Sequence, residues 1–136
     1  MQAVLYVLSH YVGINPNELS LVDGSGLSQY NRVTPSDVSK MLNYIDHNNM
    51  LRTTLVPALP IAGVDGTLAY RMGNLARGHL VHAKTGSMTG VSSLAGFVKT
   101  HNLGTLSFVI MINNVPKDRW PYILMENHIV EYLARS

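Results

Sequence analysis

The stretch His82–Gly90, HAKTGSMTG, places one lysine, three hydroxyls and two glycines directly behind the apolar pair Leu80-Val81. On a pleated strand successive side chains face opposite ways, so Leu80, His82, Lys84 and Gly86 share one face while Val81, Ala83, Thr85 and Ser87 share the other. Lys84 and Gly86 then look the same way. A long cation beside a missing side chain suits a strand that something approaches closely, with the ammonium projecting positive charge alongside. An edge strand carrying a lysine against edge-to-edge pairing would read the same way. Three residues do not choose between these readings.

Other residues that could do chemistry point elsewhere. His79 and His82 lie three apart on the same expected strand and face opposite sides, and no His-Glu-x-x-His pattern occurs, so no metal site is expected. Asp23–Ser28, DGSGLS, carries Gly24 and Gly26, but Gln29 stands where a dinucleotide fingerprint needs its third glycine. That stretch reads as a tight loop whose glycines take unusual backbone angles and whose serines satisfy nearby backbone groups. The absence of cysteine excludes disulfides, thiolate metal sites and cysteine nucleophiles. It fits a reducing cytosol or a periplasmic protein without bridges.

The elements that must position the lysine follow from periodicity and caps. The chain of 136 residues is 46% hydrophobic, enough for one domain or part of one with a real core. Only 13% of residues are charged, the formal net charge is +2 and no basic block appears, so nucleic acid is not an expected partner. No apolar run approaches a membrane span, and no positively charged leader precedes the first apolar stretch, so an export signal would lie outside this chain.

Val4, Val7, Leu8 and Tyr11 fit an amphipathic helix ending near Gly13. In TPSD, Thr34 is the expected N-cap, Pro35 the first helical residue and Asp37 the third, opening a helix that buries Val38, Met41, Leu42 and Ile45. That helix fades at Asn48-Asn49, before a shorter one around Leu51 to Val56. Residues 57–78 are rich in breakers and read as a loop across one face; the two Val-Asp-Gly stretches in the chain mark turns rather than a repeat. Strands over Leu80–Ser87, Val91–Thr100 and Thr105–Asn113 with short links predict an antiparallel meander. The nearly continuous apolar run from Leu106 to Ile112 predicts burial on both faces. A terminal helix should pack on the sheet through Tyr122, Met125, Ile129 and Leu133.

Taken together, DGSGLSQYNRVTP, LPIAGVDGTLAYR and HAKTGSMTGVSSLAGFV, in this order and at this spacing, resemble the C-terminal part of class C low-molecular-mass penicillin-binding proteins, the D-alanyl-D-alanine carboxypeptidase/endopeptidase family. The resemblance covers nearly the whole chain. It implies an α+β fold: part of the penicillin-binding-protein and serine β-lactamase-like transpeptidase architecture, an antiparallel sheet flanked by helices. Residues 1–136 would form the C-terminal part of one such domain, whose N-terminal part carries the nucleophile.

Enzymes of this family attack D-Ala-D-Ala peptides with a serine, pass through an acyl-enzyme, and are trapped by β-lactams at that stage. The resemblance makes Lys84 a catalytic cation of the Lys-Thr-Gly strand. It gives Thr85 to the substrate or antibiotic carboxylate, leaves room beside the nucleophile at Gly86 and makes the Ser87 N–H an oxyanion-hole donor. Thr67 and Leu68 would line the leaving-group side. No cofactor is implied. The implied partners are a peptidoglycan peptide or β-lactam, together with the N-terminal part of the domain or a second copy of this chain; the implied location is the periplasm or cell envelope. Neither Ser-x-x-Lys nor Ser-x-Asn, which the family also needs, occurs in this chain. The expectation is therefore a fragment of a serine peptidase that is inactive alone; the alternative is a non-catalytic binding or interaction module of the same fold.

Overall fold

A computed structural model describes all 136 residues, Met1–Ser136. Helix α1 (Gln2–Val12) ends where Gly13 takes the left-handed conformation with φ 75° and returns its N–H to the Leu8 carbonyl. Helices α2 (Pro35–His47) and α3 (Asn49–Leu55) follow, joined at Asn48, whose side chain caps α3 by accepting from the Leu51 N–H. Strands β1 (Val81–Met88), β2 (Val91–Lys99) and β3 (Thr105–Asn113) form an antiparallel meander in that order, and α4 (Trp120–Arg135) closes the chain. The expected strands thus appear within a residue of their bounds.

Residues 57–78 are not a loop lying across the surface. They form three short 3-10 turns, Val56–Ala58, Gly66–Leu68 and Gly73–Leu75, and contribute Ala62, Leu68, Met72 and Leu75 to the core. The segment is tied to β1 by the Ala62 N–H to Val81 carbonyl and the Ala83 N–H to Pro60 carbonyl bonds, both about the ordinary ladder length at 3.1 and 3.0 Å. Breakers here set turn geometry while the residues between them are buried. Where β1 and β2 cross the core they run very close: a Cβ on Gly96 would overlap the His82 carbonyl and stand 2.6 Å from the Ala83 Cα.

The sheet has two differently covered faces. Residues opposite one another share a face, so Val81, Ala83, Leu94, Val98 and Phe108 line one side, under α4 and the 57–78 segment. His82, Lys84, Gly86 and Ser93 line the other, whose β3 end meets α2 through the Ser107 hydroxyl and Asn43 Oδ1 at 2.9 Å.

Four expected apolar faces are rearranged. In α4 the sheet-facing residues are Glu126, Asn127, Val130 and Ala134, while Met125 and Ile129 are exposed and Tyr122 and Leu133 are half-buried. The helix is rotated because Glu126 is drawn inward by hydrogen-bonding partners, which leaves an open apolar groove along Pro121, Met125, Ile129 and Tyr132. In α2, Leu42 is buried but Met41 is exposed; in α1, Val4, Val7 and Tyr11 remain exposed because that helix packs mainly against α2 and the short 3-10 turn Pro16–Glu18. In β3 only Phe108 is fully buried, since α2 and α4 each cover part of the strand and its outer edge has no partner.

The start of α2 is the tightest local motif. Thr34 Oγ1 accepts from the Asp37 N–H at 3.1 Å, and Asp37 Oδ2 accepts from the Thr34 N–H at 3.0 Å and from its hydroxyl at 2.7 Å. The Thr34 hydroxyl, then its backbone N–H, hold the Asp37 carboxyl below the usual carboxylate range. A carboxyl lowered by folding stabilises the fold above its unfolded value, and that contribution is lost as pH falls through the lowered one. Thr34→Ala is expected to cost about 1 kcal/mol in urea unfolding at neutral pH, with a smaller deficit in acid that protonates Asp37. Equal deficits at both pH values would refute the carboxylate's part in the cap.

The open apolar edge of β3 yields a second expectation. An unpaired edge is a template for association, so residues 1–136 alone should sediment as a dimer or larger species, with slow amide exchange along Leu106–Ile112. A monomer over a wide concentration range with fast exchange there would show that the edge needs no partner.

Candidate active site

The β1 edge is polar where it leaves the core. The Leu80 carbonyl accepts from Lys99 on the β2 side, whereas Val81 and Ala83 bond to the 60–62 segment on the other side, so odd-numbered residues turn their backbone groups away from β2. Beyond Ala83 that outer side has no strand partner, and the N–H and C=O of Thr85 and Ser87 point outward from it. The exposed Lys84 side chain bends to this edge and donates from Nζ to the Thr85 carbonyl at 2.6 Å. The register confirms that Lys84 and Gly86 share a face.

Gly86 leaves space that its neighbour on β2 uses. A Cβ there would overlap the Ser93 hydroxyl, which occupies the space the glycine leaves. Ser93 lines two depressions at this end of the hairpin. One, of about 190 Å³, is lined by Thr67, Arg71, Thr85, Gly86, Ser87 and Arg119 among others. The second, of about 520 Å³, lies between the β-hairpin and the Ser28–Val33 loop, with Met88 and Met111 among its lining residues. That loop is held as expected by Ser25 and Ser28, which accept from the Leu27 and Tyr30 N–H groups. Asn31 fastens it further, accepting from the Val22 and Asp23 N–H groups and donating to Asp23 Oδ1 at 3.0 Å. The Asn31 amide is the first cause that holds the Asp23 carboxyl below its usual range.

Beneath the smaller depression lies a buried polar network. Arg71 Nη2 donates to Glu126 Oε2 at 2.8 Å and Arg71 Nε to Asn127 Oδ1 at 2.8 Å. Glu126, with 0% of its surface exposed, accepts from the Ser92 hydroxyl through Oε1 at 2.7 Å. Arg119 donates to the Met88 carbonyl at 3.1 Å. Both oxygens of a buried carboxylate are thus paired, the condition under which burying it is tolerable.

Four of the six sequence-selected residues are brought together. Thr85, Gly86 and Ser87 line the smaller depression with Thr67, and the Thr85 hydroxyl donates to Thr67 Oγ1 at 2.9 Å. Lys84 does not line it: it lies on the face of β1 opposite Thr85, with its ammonium on the Thr85 carbonyl at the outer edge of the strand. Leu68 instead has its side chain fully buried in the core and does not line the depression. Sequence reasoning missed Arg71, Ser93, Arg119, Glu126 and Asn127. A charged Glu126 on the sheet side of an apolar-looking helix is a signal only once the rotation of α4 is known.

Because the Ser93 hydroxyl fills the space over Gly86 and can turn to another rotamer, Gly86→Ala is expected to cost about 1 kcal/mol or less. Adding Ser93→Ala should recover much of that loss in a double-mutant cycle read by thermal unfolding. Additive losses would show that Ser93 is not what disfavours a side chain there.

Comparison with known proteins places this arrangement. The sequence profile of the D-Ala-D-Ala carboxypeptidase 3 (S13) family matches residues 1–135. Penicillin-sensitive carboxypeptidase A of Dictyostelium discoideum is 34% identical over 140 aligned positions, covering 98% of this chain and 27% of that protein. D-alanyl-D-alanine carboxypeptidase DacB of Haemophilus influenzae is 43% identical over 104, covering 74% of this chain and 21% of that one. The crystal structure of penicillin-binding protein 4 from Haemophilus influenzae, complexed with a β-lactam, superposes with a TM-score of 0.77 at 35% identity, over 88% of this chain and 29% of that chain. The 136 residues therefore span between about a fifth and a third of these relatives' lengths. Matched over nearly all of its length, and with a partial penicillin-binding-protein fold, the chain belongs to the D-Ala-D-Ala carboxypeptidase 3 (S13) family.

Proposed function

We propose that residues 1–136 form the C-terminal part of one transpeptidase-like domain of a serine D-alanyl-D-alanine carboxypeptidase/endopeptidase, acting on peptidoglycan peptides in the periplasm or cell envelope and acylated by β-lactams. The observation that carries this is the outer side of β1, which has no strand partner beyond Ala83: the backbone groups of Thr85 and Ser87 face outward beside a hydroxyl-lined depression, the Thr85 carbonyl bonded only by the Lys84 ammonium. A peptide can add to such an edge as an extra strand. Its scissile carbonyl then lies near the Ser87 N–H, which stabilises the oxyanion as acyl transfer proceeds.

In this reading the nucleophile comes from a Ser-x-x-Lys segment outside these residues, and the partner motif Ser-x-Asn with it. Lys84 supplies positive potential and hydrogen bonds to the reacting groups, Thr85 holds the substrate carboxylate, and Gly86 keeps the approach open. Thr67 supports Thr85 through their shared hydrogen bond. The names of the relatives point the same way, one being penicillin-sensitive and another solved with a β-lactam.

A fluorescent penicillin tests the reading. The 136 residues alone should form no covalent adduct, whereas the protein that also contains the nucleophile segment should be labelled on that serine. Lys84→Ala in that protein should slow acylation by about 100-fold or more while moving the melting temperature little. A stoichiometric adduct on a serine of these 136 residues would refute the proposed division of labour. Unchanged acylation in the Lys84 variant would remove the lysine from the mechanism. No acylation of the complete protein would favour a non-catalytic module of the same fold.

A further inference from the structure

Arg71 is held in a way that leaves part of it for a ligand. Its Nε and Nη2 are taken by Asn127 and Glu126, and Nη1 has no hydrogen-bond partner in the protein. No buried side-chain nitrogen or oxygen lacks a partner, so Nη1 is the part of the guanidinium that reaches solvent, and Arg71 lines the depression below β1. Its side chain is 12% exposed. Above it, Thr67 and Thr85 share one hydrogen bond, and two hydroxyls sharing one bond leave one hydroxyl hydrogen free to donate elsewhere. Glu126 is the only acid among these groups; with Arg71 and Arg119 the depression carries a net positive charge.

We infer that Arg71 is the cation that receives the C-terminal carboxylate of the peptide substrate, or the ring carboxylate of a β-lactam, with one oxygen on Nη1 and the other on the Thr67–Thr85 hydroxyl pair. Glu126 and Asn127 are positioning residues that act through Arg71. The inference rests on the peptidase reading of β1. Its physical basis is preorganisation: a guanidinium fixed by two acceptors from α4 loses little freedom when the carboxylate arrives, and its charge is permanent.

The test uses the complete enzyme and compares acylation by benzylpenicillin with acylation by its methyl ester, which lacks the anionic carboxylate. The wild-type enzyme should prefer the free acid by about 10- to 100-fold, the range of a hydrogen bond to a charged group. Arg71→Gln would leave Glu126 buried and unpaired, so the neutral pair R71Q/E126Q is used, and its acid-to-ester ratio should fall toward one. The ratio is taken within one protein, so partial misfolding does not distort it. Asn127→Ala, which frees Nε while keeping the ion pair, should lower the ratio part of the way. A wild-type ratio retained in R71Q/E126Q, or a ratio lost on Arg119→Lys instead, overturns the assignment while the peptidase reading stands. Absence of wild-type acylation by either compound overturns the peptidase reading and this inference with it.

Discussion

The Glu126 carboxylate is the constraint around which this structure is arranged. It sits on α4 with none of its surface exposed, bonded to Ser92 on a sheet face whose next position is the buried Leu94. Such a charge is tolerated only when both oxygens are satisfied, and removing one partner of a buried pair costs about 3–5 kcal/mol. Arg71 and Ser92 satisfy it from two directions, one in the 57–78 segment and one on β2. Three parts of the chain, separated by up to 55 positions, are thereby fixed against one another. The same bond fixes the rotation of α4 and carries the Arg71 guanidinium to the wall of the hydroxyl-lined depression.

That long-range pairing also marks where the sequence is legible and where it is not. The αL glycine at Gly13, the Thr34–Asp37 capping box and the three-stranded meander rest on interactions between residues close in sequence, and each appears in the structure as its local signal predicts. The Lys-Thr-Gly strand and the DGSGLS loop are legible for the same reason. The face of α4 is not, because its apolar stripe and its buried face differ: periodicity favours Met125 and Ile129, while a partner 55 residues away turns Glu126 inward. Leu68 shows the same limit at the site. Its neighbour Thr67 reaches Thr85, but the step of about a third of a turn per residue along a 3-10 turn sends Leu68 into the core.

The two free edges of the sheet differ in chemistry. On β1 the outward groups belong to Thr85 and Ser87, with a lysine and a glycine on the adjoining face, and its apolar residues Val81 and Ala83 are already paired to the 60–62 segment. Such an edge can accept an extended peptide and release it. On β3 the exposed edge runs through Phe108 to Ile112 without a charge, a composition suited to a permanent neighbour. The open groove on α4 and the exposed apolar side chains of α1 have the same character. In the proposed domain these surfaces face its remaining part, and the β1 edge faces substrate.

The cations near β1 then divide by mobility. Arg71 is held by two acceptors, its position set by α4, so it suits recognition of a group that does not change during the reaction. Lys84 is exposed, anchored only by its own strand and bonded to a single carbonyl, that of Thr85, on the edge where substrate would lie. Its ammonium can exchange that carbonyl for a reacting group at little cost, because one hydrogen bond replaces another. Gly86 and the Ser93 hydroxyl lie on the same face as Lys84, while the Thr67–Thr85 pair and Arg71 flank the strand at the depression. Under the proposed function, β1 thus stands between a mobile cation suited to chemistry, Lys84, and a fixed one suited to binding, Arg71. The lysine in this short motif therefore needs its own face of the strand, and the glycine two positions on keeps that face open to Ser93 and to whatever approaches it.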